Sequence, residues 1–189
     1  MFNILLDRLP SDYNGYLIRT SFRIGIQICL CMEDPDYTDD EKTFTCLNLL
    51  YGRGIPTDIE EALNGLKWFM SCGKPDEKRN IGNNKTLFYF DFDAGRIYSS
   101  FKQTYGIDLA KTDMHWFEFI ELMGSLNEHS AFENAVQIRD YDLSTLKGKA
   151  RTKMQQMKQN LTPEMKLSSE EQDKIDEFNA LFYGGDVNG

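Results

Sequence analysis

The chain has 189 residues, 41% of them hydrophobic and 13% aromatic, enough to bury one substantial core or two small ones. Its formal net charge of −9 disfavours general nucleic-acid or membrane-surface binding. No run approaches the roughly 20 apolar residues of a membrane span.

The start, "MFNILLDRLP", has a short apolar run broken at once by charge, so no secretory leader is expected. Asn14-Gly15 between Tyr13 and Tyr16 predicts a small hairpin, because Asn-Gly takes the positive φ angles of a tight turn between paired strands. In "SFRIGIQICLCM", Phe22, Ile24, Ile26, Ile28, Leu30 and Met32 alternate as in a strand. Phe22, Ile26 and Cys29/Leu30 also fit one helical face, and the pattern alone leaves both readings open.

Thr38 to Glu41 is a capping box, and it predicts a helix carrying Phe44, Leu47, Leu50 and Tyr51 that ends at Gly52. Thr57 to Glu60 repeats the device before Ile59, Leu63, Leu66 and Met70, with Gly73 as the stop. Residues 73–85, "GKPDEKRNIGNNK", are rich in Gly, Pro, Asn and charge, which marks a linker.

Beyond it, Asp91 or Asp93 is placed to cap a helix with Ala94, Ile97, Tyr98, Phe101 and Tyr105 on one stripe, closed by Gly106. A turn through Thr112 leads to a helix holding Met114, Trp116, Phe117, Phe119, Ile120, Leu122 and Met123. Such a helix is apolar over most of its circumference and belongs at the centre of a core. A helix with Phe132, Ala135 and Val136 follows, then a polar, basic helix from "DLSTLKGKARTKMQQMKQN". In the tail, Thr162-Pro163 and the capping box Ser168 to Glu171 precede a stripe of Ile175, Phe178, Leu181 and Phe182. A brief amphipathic helix on a polar tether has the form of a docking peptide, so these four are candidate partner-binding residues.

The expected organisation is mainly α, a multi-helix bundle with a small N-terminal β-hairpin. It divides into a hairpin and helical subdomain over 1–73, a linker over 74–85, a helical subdomain over 86–160 and a tail over 161–189.

The residues that could carry chemistry each have a plainer role. His115 opens an apolar helix, where packing at a helix junction is more natural than general-base work; His129 reads as an exposed loop residue. Asp91-x-Asp93 precedes a helix, where carboxylates cap free N–H groups. Counting from Asp34, "EDPDYTDDEK" puts Asp39 and Thr45 where a calcium loop needs glycine and glutamate. Cys29, Cys31, Cys46 and Cys72 form no CxxC, lack a second ligand pair, and read as small buried hydrophobes with reduced thiols. "GRG" at 52–54 lacks the Lys-Ser/Thr of a phosphate loop. No catalytic, cofactor or metal site is expected. The basic segment with Lys147, Lys149, Arg151 and Lys153 lacks interleaved aromatics for stacking on bases and reads as a solvated face.

Three stretches carry a resemblance: "FDFDAGRIYSSFKQTYGIDL", "MHWFEFIELMGSL" and "FENAVQIRDYDL". They are similar to the phage Gp-fifteen family of long-tailed phages and prophages of Gram-positive bacteria. The matching positions include Ile97, Tyr98, Ser100 and Phe101; Tyr105, Gly106, Asp108 and Leu109; His115, Trp116, Phe119 and Leu122; and Arg139. "TSFRIGIQI" and "LKWFMSCGK" match more loosely, and they favour helix for 21–33. The resemblance implies that Ile97, Tyr98, Phe101, Tyr105, Gly106, Asp108, His115, Trp116 and Phe119 are structural. It further implies a non-enzymatic tail assembly factor of the host bacterial cytoplasm. Such a factor would act as a chaperone that binds the tape-measure protein or other tail proteins, and self-association is compatible with coating a long partner. The rival readings are a nucleic-acid-binding phage protein using the basic 147–158 helix, and an enzyme using Asp91, Asp93 and His115.

Overall fold

In the computed structural model, which describes residues 2–74 and 86–164, Asn14 and Gly15 take φ values of 49° and 86°. They reverse the chain between β1 (Asp12–Tyr13) and β2 (Tyr16–Leu17), an antiparallel pair in which Tyr13 faces Tyr16. The Asn14 amide donates to Glu61 at 2.6 Å, and the Arg19 N–H donates to the Leu50 carbonyl at 2.8 Å, so the hairpin is fastened to the helices behind it.

Seven α-helices follow among the described residues. Helix α1 (Phe22–Glu33) settles the ambiguity between strand and helix. Its buried residues are Phe22, Gly25, Ile28 and Cys31, a period of three, and the Ser21 hydroxyl caps it by accepting from the Arg23 N–H. The alternating set is not one face: Met32 is exposed.

Helix α2 (Asp39–Tyr51) opens on the expected capping box, with Thr38 and Glu41 exchanging hydrogen bonds, and ends at Gly52 with φ 61°. Its first turn carries Asp39, Asp40 and Glu41, which favour the positive end of the helix dipole. Cys46, Leu47, Leu50 and Tyr51 are buried, whereas Phe44, expected on that stripe, is 67% exposed.

Helix α3 (Ile59–Met70) corrects two expectations. Its cap is Asp58, whose carboxylate accepts from the Glu60 N–H at 2.9 Å, and not Thr57. Its fully buried face is Ala62, Gly65 and Phe69; of the expected stripe, Leu63, Leu66 and Met70 are half-buried against the core and Ile59 is exposed. The cause is Gly65: a Cβ there would lie 1.9 Å from the Tyr51 hydroxyl and 2.7 Å from the Tyr13 ring. Two aromatic side chains occupy the space a larger residue would fill, and Tyr51 donates to the Ala62 carbonyl at 3.2 Å.

Helix α4 (Ala94–Tyr105) buries Ile97, Ser100 and Phe101 and ends on left-handed Gly106. Helix α5 is Trp116–Met123, starting later than the apolar run suggests because the backbone at 114–115 pairs with the start of α1. Helix α6 is Ala131–Asp140; a 3-10 turn at Leu143–Thr145 leads to α7 (Gly148–Asn160), which buries nothing fully. Packing runs α1 on α2, α2 on α3, α1 on α5, α4 on α6 and α6 on α7.

The core is aromatic. Phe119 stacks between Phe22 and Phe101, with centroids at 4.9 and 5.1 Å, and Trp116 lies beside it at 5.8 Å. This one cluster also takes in Phe69 from α3 and Phe132 from α6, so residues from both sides of the 74–85 segment share it.

Candidate functional site

His115 is the first residue to place. It caps α5: its Nδ1 accepts from the Phe117 N–H at 3.0 Å, and its Nε2 lies 2.9 Å from the Pro10 carbonyl oxygen. Those two bonds require the neutral ring protonated at Nε2. Burial pushes its pKa below the usual histidine value, although Pro10 and Glu118 pull the other way. Around it the backbones bridge: Phe22 N–H to Met114 O at 2.9 Å, and Trp116 N–H to Thr20 O at 2.7 Å. The Trp116 indole then lies flat on α1, where a Cβ at Gly25 would fall 2.2 Å from it. Both His115 ring nitrogens are committed to backbone groups, one in the N-terminal segment at Pro10 and one in α5 at Phe117.

The rest of the "IYxSF…YGIDL" stretch is spent in the same way. Tyr98 donates to Asp108 at 3.2 Å, and the Asp108 carboxylate also accepts from the Ala110 N–H at 3.2 Å. Tyr105 donates to the Leu122 carbonyl at 2.8 Å. Ser100 is wholly buried and accepts from the Phe132 N–H at 3.1 Å, joining α4 to α6.

A second constellation joins segments distant in sequence. Asp93 and Arg139 are 46 residues apart and are buried to 0% and 3% exposure. They form a two-pronged pair, Nη1 to Oδ2 at 2.6 Å and Nη2 to Oδ1 at 2.8 Å. Arg139 also donates to the Leu87 carbonyl at 2.9 Å and the Leu161 carbonyl at 2.7 Å, and its guanidinium lies over the Tyr89 and Phe92 rings. Asp93 further accepts from the Tyr89 N–H at 3.0 Å and from Arg96 at 3.0 Å. Burial alone would raise the Asp93 pKa, but the bonds from Arg139 and Tyr89 outweigh it and hold the carboxyl below the usual range. The expected capping role of Asp93 is thereby corrected. It stands at the N-cap position of α4, yet its side chain makes no bond to that helix, because the guanidinium is a stronger partner.

Beside this joint lies a groove of about 750 Å³. Leu30, Tyr89, Phe92 and Pro163 give it apolar walls. Among the described residues, its charged lining is Glu33 and Asp34 from the end of α1, Asp91, and Glu164. Sequence reasoning missed it because three remote segments build it.

Other reactive groups are muted. Burial raises the Cys29 and Cys46 thiols to about 12 and Cys72 to about 11, the opposite of an activated thiolate. Among the described residues, no three His, Cys, Asp or Glu side chains converge as metal ligands, and no helix is long and apolar enough to cross a membrane.

The chain matches the family model for "Bacteriophage Gp15 protein" over residues 5–162. It belongs to that family. No curated protein and no solved structure matches it. The matched span of this Gp15 family member takes in both the hairpin and α7. Its acid-bearing "FDFD" start and its arginine-bearing helix end are the two halves of the Asp93–Arg139 joint. The tail residues Ile175, Phe178, Leu181 and Phe182 lie outside the described residues. Lys147, Lys149, Arg151 and Lys153 are all exposed.

Proposed function

We propose that this Gp15 family member is a phage tail assembly factor that works by binding, in the host bacterial cytoplasm. Its client is the tape-measure protein or another tail protein, held soluble before the tail tube polymerises. The single observation that carries this reading is how the family motif is used. Tyr98, Ser100, Tyr105, Asp108 and His115 bond within the fold, to backbone groups or to one another. What faces outward is a groove of a size that accepts several side chains of a partner. A neutral histidine with both nitrogens committed supports a structural role over proton transfer.

Deleting the gene from an inducible prophage tests the proposal. The expected particles are filled heads without tails, with tails restored by the gene supplied in trans. Normal tails from the deletion strain would refute it.

A further inference from the structure

Six of the twelve large apolar residues that stand exposed among the described residues lie between Ile4 and Leu17. They are Ile4, Leu5, Leu6, Leu9, Tyr16 and Leu17; Leu5, Leu6 and Leu17 are 88%, 82% and 75% exposed. The fold holds them outward. The Leu6 and Asp7 N–H groups donate to the Asn3 carbonyl at 3.0 and 2.8 Å. The Leu5 N–H donates to the Asn3 side chain at 3.0 Å, and the Asn3 N–H to the Asp7 carboxylate at 2.8 Å. Residues 3–7 are thus a closed turn that satisfies its own polar groups and presents its leucines to solvent. In the hairpin, Tyr13 pairs with Tyr16 and lies on Trp68 at 5.2 Å. Side chains alternate along a strand, so Leu17 points away from the body.

The turn and the hairpin share one side of the molecule. Phe2 packs on Phe117 at 5.3 Å, Tyr13 packs on Trp68, and Phe117 and Trp68 meet at 5.5 Å. We propose that this side is the contact between two copies of the chain, related by a two-fold axis. Leu5, Leu6 and Leu17 of one copy lie against the same residues of the other. Two observations favour a second copy as the occupant. The first is area. The six residues expose on the order of 600 Å², the upper end for an apolar patch on an ordinary monomer. Two copies face to face would bury about 1,200 Å², where specific interfaces begin. The second is charge. A chain of net charge −9 repels its own copies least where local charge cancels. Residues 1–20 carry Asp7 and Asp12 against Arg8 and Arg19, so they bring no net charge to the contact. The closed turn also loses little freedom on docking, because it is already ordered. The inference does not depend on the nature of the tail client, since both faces belong to this chain.

Sedimentation of the full chain over a range of concentrations decides it, at low and high salt. Leu5→Ser/Leu6→Ser and Leu17→Thr remove the apolar contact from two separate elements without adding charge. Phe44→Ser, at a residue 67% exposed on α2, is the control. All four positions are exposed, and circular dichroism verifies folding. The wild-type chain should pass from monomer to dimer as concentration rises and go no further. The dimer should persist at high salt, because an apolar contact is not screened. Both leucine variants should pair at least tenfold more weakly, and Phe44→Ser should pair like wild type. A wild type that stays monomeric, a dimer that salt dissolves, or leucine variants that pair like wild type would each overturn the proposal. So would a Phe44→Ser chain that loses pairing as they do. A monomeric wild type whose capture of the tape-measure protein fails in the leucine variants would assign this side to the client instead.

Discussion

Replacing Arg139 with methionine would keep the aliphatic stem and remove the guanidinium that ties four segments together. Asp93 would stay buried with only the Tyr89 N–H and Arg96 as partners, and the Leu87 and Leu161 carbonyls would lose their donor. Removing one member of a buried pair costs about 3–5 kcal/mol, because the other charge remains in a medium that solvates it poorly. That is a large share of the roughly 5–15 kcal/mol stability of a typical domain. With a urea slope of about 2 kcal/mol per molar, the midpoint should fall by about 2 M in equilibrium unfolding followed by circular dichroism. Asp93→Leu combined with Arg139→Met leaves no stranded charge and should lose less than the sum of the single variants. The acid limb offers a further check. The Asp93 pKa is lowered in the folded state, so its contribution is present above the unfolded value of about 4 and is lost as pH falls through the folded value. The gap between wild type and Arg139→Met should therefore narrow in that acid range. A loss below about 1 kcal/mol at neutral pH would mean that Asp93 finds other solvation, and the joint would not be what holds α4, α6 and the end of α7 together.

Gly25→Ala should destabilise by about 1–3 kcal/mol despite alanine's better helix propensity, since its Cβ would overlap Trp116; thermal melting measures this. Gly95→Ala, with nothing within 4 Å of its Cβ, should instead stabilise by up to about 1 kcal/mol. His115→Ala removes the α5 cap and strands the Pro10 carbonyl, and should cost about 1–3 kcal/mol; an unchanged melting temperature would contradict the packing role. Because the His115 pKa is lowered on folding, the wild type should lose stability as pH drops from about 6.5 toward the folded value. His115→Asn, which can still cap, should lack that component of the pH profile. Thr38→Ala should cost about 1 kcal/mol in urea unfolding by dissolving the capping box.

Local signals were the legible ones. Asn14-Gly15 and the Thr38–Glu41 box are short-range devices whose geometry depends on a few neighbouring residues, and both form as read. Faces were harder. The apolar run of α1 fits a period of two as well as of three, and only its burial against α2 and α5 picks out Phe22, Gly25, Ile28 and Cys31. In α3 the hydrophobic spacing pointed to Ile59, but a glycine that admits Tyr51 and Tyr13 turns the helix, and a missing side chain has no hydropathy to read. The Asp93–Arg139 joint had a partial signal in two conspicuous charges flanking apolar stretches. Nothing local said that they meet, and a carboxylate before a helix reads first as a cap. The groove had none, because Leu30, Phe92 and Pro163 come together only once the bundle is folded.

Co-expression with the tape-measure protein of the same phage tests the central claim most directly. Tagged full-length chain and a version ending at Asn160 would each be purified, and the client sought in the soluble eluate. The account predicts that the full-length chain keeps the tape-measure protein soluble and carries it through purification. Loss on truncation would place the contact on the residues beyond Asn160, and retention would place it on the helical body. A folded, soluble full-length chain that leaves its tape-measure protein wholly in the insoluble fraction would contradict the chaperone reading.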